Sequence, residues 1–323
     1  MNLLRQPWAV VIFACREPLP QLQQTLDAAL LSAASCAVVH VLVNGNPTLA
    51  QALVAALAQR PAAPAGSGSS PAIQVWSIPL GDKANAWNQY IHQLWAGEDI
   101  AFFIDGYVRL NANAVELLGP AVIANGHALG GSGVPTMGRT AKALRQDIIT
   151  HSGFHGNFCC IKGDAIRQMR DQHIRLPVGL YRTDGLMRAI LVYSLDPAQH
   201  AWDESRIHVH PEASWQIDPA RWWRLQDVRA FFKRHFRQVR GSLENAALKD
   251  HLARRLRSPA ELPATATELV LEWVKRCPGE FERLEQKQRL TKHALASIEA
   301  THPGPESDQK PQLVWVHEPS QTP

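Results

Sequence analysis

Four short apolar runs constrain this chain more than any other feature. Each is stopped by a polar turn, and the stretches between them carry helical period. The runs are residues 8–14 (W-A-V-V-I-F-A), 37–43 (A-V-V-H-V-L-V), 73–78 (I-Q-V-W-S-I) and 100–104 (I-A-F-F-I). They are too short for core helices and rich in β-branched and aromatic side chains, so they read as strands. From Pro20, the apolar residues Leu22, Leu26, Ala29, Leu30 and Ala33 recur at three- and four-residue steps, and residues 48–59 behave alike. Gly81-Asp82 opens another helix through Trp95, with Asp82 in the N-cap position. Continuous apolar strands are those buried on both faces, and strands alternating with helices build βαβ units. The sequence therefore predicts an α/β chain with a mainly parallel sheet flanked by helices.

The rest is less regular. A further helix is expected over residues 112–124, kinked or broken at Gly119-Pro120. A strand is expected over 155–161, a helix from Gly163-Asp164, a loop over 179–184 and a helix over 185–192. Residues 203–210 alternate polar and apolar, as an edge strand does. The Pro/Ala/Gly/Ser-rich stretch 60–72 and the Gly-rich stretch 128–134 carry no helical period. An amphipathic helix over 221–240 leads into further helical sequence, interrupted at Pro278-Gly279. This divides the chain into a main domain (1–215), a basic helical region packed on it (216–300) and a proline-rich tail expected to be disordered (301–323).

Composition removes several classes of function. No apolar run reaches the roughly 18 residues needed to span a bilayer. Pro7 and the polar Arg16-Glu17-Pro18 read against a leader peptide. The five cysteines, Cys15, Cys36, Cys159, Cys160 and Cys277, make neither a disulfide framework nor zinc spacing, which suits a reducing cytoplasm. A net charge of +4 is too mild to argue for nucleic acid, and no nucleic-acid module is recognisable.

Within this frame Asp105 is the leading candidate residue. It ends the fourth apolar run and is followed by Gly106. In open α/β sheets ligands gather beyond the carboxyl ends of the strands, and glycine lets the backbone approach them.

The order of motifs resembles the family 2 glycosyltransferases, which have a GT-A fold. The resemblance covers roughly residues 8–245. It is carried by Ala14-Cys15-Arg16-Glu17 after the first strand, Asn44-Gly45-Asn46 after the second, and Gly81-Asp82-Lys83-Ala84-Asn85-Ala86-Trp87-Asn88 after the third. Asp105-Gly106-Tyr107 stands in the metal motif, Thr183-Asp184-Gly185 supplies the later acidic residue, and Arg237-Gln238-Val239-Arg240 loosely echoes a Q-x-x-R element. Such a resemblance implies inverting transfer of a hexosyl-type unit from a nucleotide-diphosphate sugar to a glycan or lipid-linked acceptor, as in polysaccharide or glycolipid biosynthesis. It implies donor contacts from Ala14, Arg16, Glu17, Asn44, Lys83, Asn88, Asp105, Gly106, Gln238 and Arg240. Asp184 becomes the base, and His155, Gly156 and Asn157 the acceptor loop. A divalent cation, Mn or Mg, would sit on Asp105 with a late histidine, His208 or His210. Two departures bear on this: Tyr107 replaces the second metal carboxylate, and Asn44 replaces the acid of the second turn. Metal dependence is therefore open at this point. The alternatives are a sugar nucleotidyltransferase and a non-catalytic scaffold of the same fold. The basic segment 221–257 holds eleven Lys/Arg with Trp222 and Trp223. It reads as a solvated or packed helix, a diphosphate contact, or a peripheral contact with the inner membrane.

Overall fold

The computed structural model describes residues 6–60, 71–138, 140–218, 225–300 and 309–317, with only the backbone of Gln6 and of 225–235. The four apolar runs become β1 (Gln6–Ala14), β2 (Cys36–Asn44), β3 (Ala72–Ile78) and β4 (Ile100–Asp105). Between them lie α1 (Leu19–Ser32), α2 (Pro47–Ala58) and α3 (Lys83–Gln89), the last running on into a wider π turn at Tyr90–Leu94. The middle of the chain adds β5 (Arg109–Leu110), α4 (Ala114–Ala124), β6 (Gly130–Pro135), α5 (Ala141–Thr150), β7 (Phe158–Lys162), α6 (Gly163–Asp171), α7 (Thr183–Val192) and β8 (Ile207–Gln216). The C-terminal part adds α8 (Leu225–Lys249), α9 (Ala266–Arg276), α10 (Pro278–Lys287), α11 (Thr291–Glu299) and β9 (Gln312–His317).

The nine strands among the described residues belong to one sheet, ordered β5-β8-β6-β7-β4-β1-β2-β3-β9. β4, β1, β2 and β3 run parallel, whereas β7 is antiparallel to β4 and β9 antiparallel to β3. Register places Phe13 beside Asp105, Ala14 beside Val43, and Asn44 beside Ile78, so the carboxyl ends of the parallel strands form one edge. Because β7 runs the other way, its first residue, Phe158, pairs with Ile104 at that same edge.

Side chains alternate between two apolar layers, as the two-residue period of a strand requires. Val11, Phe13, Ala101 and Phe103 face one core, built with Trp87 and Tyr90, with residues of α6 and α7, and with Val239, Leu243, Val270, Trp273 and Ile298 from the C-terminal helices. Trp8, Val10, Ile12 and Phe102 face the other, closed by α1, α2 and α4. The Trp87 and Phe103 rings lie 3.9 Å apart, centroid to centroid. α4 runs through Gly119-Pro120 as one element, with Gly119 against the Trp8 ring.

The expectation of a disordered tail over 301–323 is corrected at Gln312–His317, which pairs along β3. The segment Q-L-V-W-V-H is apolar and β-branched, and it finds the hydrogen-bonding edge that β3 leaves open. β6, formed by the Gly-rich stretch, is also new. No helix among the described residues is long and apolar enough to cross a membrane.

His40, buried in β2, accepts a hydrogen bond at Nδ1 from Trp76 Nε1 (3.2 Å) and meets the edge of Tyr90. Burial lowers its pKa from the ordinary 6.5 to about 4. The unfolded chain therefore binds the proton first as pH falls, and stability is lost between about pH 6.5 and 4. Removing that titration in His40→Gln is expected to shrink the stability difference between pH 7 and pH 4.5 by up to about 3 kcal/mol, read by urea unfolding. Parallel pH profiles for parent and variant would contradict this burial.

Candidate functional site

The site grows from the end of β4. Asp105 Oδ1 is ion-paired with the Lys83 ammonium, and Oδ2 accepts a hydrogen bond from the Tyr107 hydroxyl at 2.9 Å. Tyr107 Oη also lies 3.2 Å from Asn157 Oδ1. Lys83 is the first residue of α3. Asp82 fixes that helix start by accepting from Asn85 N–H (2.8 Å), and its other oxygen accepts from Gly179 N–H (3.1 Å). Burial would lower the Lys83 pKa, but the charge and hydrogen bond of Asp105, with the charge of Asp184, outweigh it and raise it. Lys83 is thus an ammonium at neutral pH. Burial, then the Asp105 charge, raises the Tyr107 phenol, so it stays a neutral donor.

The antiparallel entry of β7 brings residues 155–157 against this pair. Gly156 N–H donates to Asp184 Oδ2 (3.2 Å), and Asp184 Oδ1 accepts from Gly185 N–H (2.9 Å) in the first turn of α7. A Cβ on Gly156 would stand 3.2 Å from Lys83 Nζ and 3.4 Å from Asp184 Oδ2. Two carboxylates and one ammonium therefore converge around a residue with no side chain. His155 packs its ring on Trp215 (5.2 Å between centroids), and its Nδ1 accepts from Asn157 N–H (3.2 Å). Burial lowers the His155 pKa, so the ring is neutral at pH 7.

The turns after β1 and β2 adjoin the site but are closed on themselves. Buried Asn44 donates its amide to the Ala14 carbonyl (2.8 Å), and Asn46 does the same to Cys15 (2.8 Å). Glu17 accepts the backbone N–H groups of Cys15 (2.6 Å) and Arg16 (2.9 Å), while the Arg16 side chain is exposed. Gly106 N–H donates to Phe13 O (2.7 Å), tying the turn after β4 to β1.

Four expected contacts are placed elsewhere. Asn88 spends its side-chain amide on the backbone of Leu176, donating to its carbonyl and accepting from its N–H, both at 2.8 Å. Gln238 lies exposed on α8. Arg240 pairs through Nε with buried Glu244 (2.9 Å) and donates through a terminal nitrogen to the Gly179 carbonyl. Glu244 in turn accepts from Tyr181 N–H (2.9 Å), so this pair holds the loop leading to Asp184. His210 stands in a bulge of β8, where the four residues between Val209 and Ser214 lie opposite the single residue between Ser132 and Val134 on β6; its Nδ1 accepts from the N–H groups of Glu212 and Ala213 (3.2 Å each). His208 shares its row of the sheet with Gly131, Cys160 and Phe102, three strands from β4, or about 14 Å by strand spacing. His210 commits its Nδ1 to the backbone of its own bulge, and His208 stands three strands away from β4. Trp222 and Trp223 lie outside the described residues.

These side chains do not suit a divalent cation. Hard cations need several oxygen ligands, yet both oxygens of Asp105 already meet an ammonium and a phenol. Among the described residues no three of His, Cys, Asp and Glu are grouped to hold a metal.

Among solved structures, the fold is similar to one described as mannosyltransferase PcManGT from Pyrobaculum calidifontis in complex with GDP-Man and Mn2+. The match covers 95% of this chain and 79% of that one, with a TM-score of 0.51 and 14% identity. That is a likeness of fold. No protein-family model matches the sequence, and no curated protein sequence is significantly similar to it.

Sequence reasoning missed Glu244 and Trp215. Arg240 and Glu244 stand four residues apart on a helix, a spacing that could have revealed the pair. Removing one partner of a buried ion pair leaves the other charge uncompensated. Glu244→Ala is expected to cost about 3–5 kcal/mol in urea unfolding, and Gln238→Ala less than about 0.5. Equal small losses at both positions would contradict the bracing role of Arg240 and Glu244.

Proposed function

We propose that this chain is a glycosyltransferase of the family 2 type, transferring a sugar with inversion from a nucleotide-diphosphate donor to a glycan or lipid-linked hydroxyl. The convergence of Asp105, Lys83 and Asp184 at the carboxyl edge of a parallel sheet carries the reading. Ligands of open α/β sheets lodge outside such an edge. The solved mannosyltransferase of similar fold was captured with GDP-Man, which supports a nucleotide-sugar donor here.

The chemistry asks for two things. An attacking hydroxyl must lose a proton, and the departing diphosphate gathers negative charge that needs fixed positive partners. Asp184 is the base: its oxygens are oriented by Gly156 and Gly185 N–H groups, and a carboxylate in that state only accepts. Lys83 faces the leaving diphosphate, with Asp105 and Tyr107 fixing its place. The acceptor enters past His155, Gly156 and Asn157, where Trp215 backs an uncharged ring.

A nucleotidyltransferase is less suited. The backbone N–H groups after β1 that could cradle a phosphate are occupied by the Glu17 carboxylate.

A panel of nucleotide sugars, assayed for release of nucleoside diphosphate, tests the proposal. Parent protein is expected to turn over at least one donor. Asp184→Asn should bind the diphosphate as the parent does but lose about 100- to 10,000-fold in turnover. Parent-level release by Asp184→Asn would remove it from the role of base, and an inert parent would leave a binding protein of this fold.

A further inference from the structure

The donor's diphosphate requires positive charge wherever it lies, and in a carboxylate-lined site a divalent cation is one source of it. Three observations point to another source in this chain. First, the oxygen atoms a metal would use are committed: Asp105 pairs with Lys83 on one side and accepts from Tyr107 on the other. The residue two positions on, where a second carboxylate would complete a ligand pair, is a phenol that points its proton at Asp105.

Second, Lys83 is held in place. It opens a helix whose start is fixed by Asp82, and Asp82 is itself anchored to Gly179. The ammonium stands 5.7 Å from the centre of the Phe13 ring, a cation–π arrangement, and beside Gly156, where any side chain would crowd it. Its side chain keeps 30% exposure, so a ligand arriving at the sheet edge can reach it.

Third, the ammonium stands between Asp105 and Asp184. A dication entering beside it would meet like charge at close range, whereas a phosphate oxygen there meets a charged hydrogen-bond donor.

We propose that Lys83 supplies the positive charge for the donor's diphosphate in place of a divalent cation, so that donor binding needs no metal. This rests on the glycosyltransferase reading above. Lysine serves phosphate as a compact point charge with three donors. It can keep one N–H on Asp105 and turn the others to phosphate oxygens. Asp105 then acts as a positioning residue for the ammonium and not as a metal ligand.

The test is binding of UDP, GDP, CDP and ADP to the full chain, followed by calorimetry with EDTA or with Mn2+. For at least one of these nucleotides the dissociation constant in EDTA should lie within about twofold of that in Mn2+. Lys83→Met should weaken binding in EDTA about 10- to 100-fold, the loss of a charge-assisted contact, while Lys83→Arg keeps most of it. Electron paramagnetic resonance of Mn2+ added to nucleotide-free protein should retain the full signal of the hydrated ion. Binding that appears only with Mn2+, depletion of the hydrated Mn2+ signal by the protein, or undiminished binding by folded Lys83→Met would each overturn this inference and leave the transferase reading intact. No binding of any of the four nucleotides in either buffer would overturn both. If Lys83→Met fails to fold, the EDTA and resonance measurements on the parent still decide.

Discussion

The antiparallel pairing of β7 on β4 is the constraint from which the site follows. Parallel strands alone would deliver Asp105, Ala14 and Asn44 to one edge, but they would leave that edge open on the β4 side. Because β7 enters in the opposite sense, its preceding loop must lie beside the last residue of β4. That loop contains Gly156, whose N–H reaches Asp184 at the start of α7. A carboxylate from a strand end and one from a helix start, far apart in sequence, thus share one small volume. Lys83 enters it from the third direction, at the head of α3.

Much of this was legible from residue pattern. The four apolar runs specified four strands, because a strand buried on both faces has little choice but to be apolar throughout. Asp105 and Gly106 marked their carboxyl edge, whereas Lys83, Gly156, Asn157 and Asp184 were singled out only by the family resemblance. The relation among them was hidden. Nothing in the spacing of Lys83 and Asp105 says that they pair, since the contact depends on β1 lying between β2 and β4.

The missed elements have physical reasons. β6 is built from Gly130, Gly131, Ser132, Gly133, Val134 and Pro135, a composition that argues against a strand by propensity. It is nonetheless buried throughout because neighbours sit where side chains would stand: a Cβ on Gly131 would lie 2.5 Å from Val122, and one on Gly133 2.4 Å from Phe158. Tertiary crowding thus favoured glycine where local preference disfavours it. Arg240 failed in the opposite way. A guanidinium near a presumed phosphate site invites a phosphate contact, but a buried carboxylate four residues along the same helix claimed it first.

The pairing of β9 with β3 has a consequence for how the protein is made. β1 to β4 can assemble as soon as they have emerged, yet the outer hydrogen-bonding edge of β3 stays bare until Gln312–His317 is synthesised, after every other strand. A nascent chain therefore carries an unsealed sheet margin from the emergence of β3 until β9 has been made, a stretch of backbone able to recruit a neighbouring copy. Chains cut short before Gln312 keep that margin bare and inherit its stickiness.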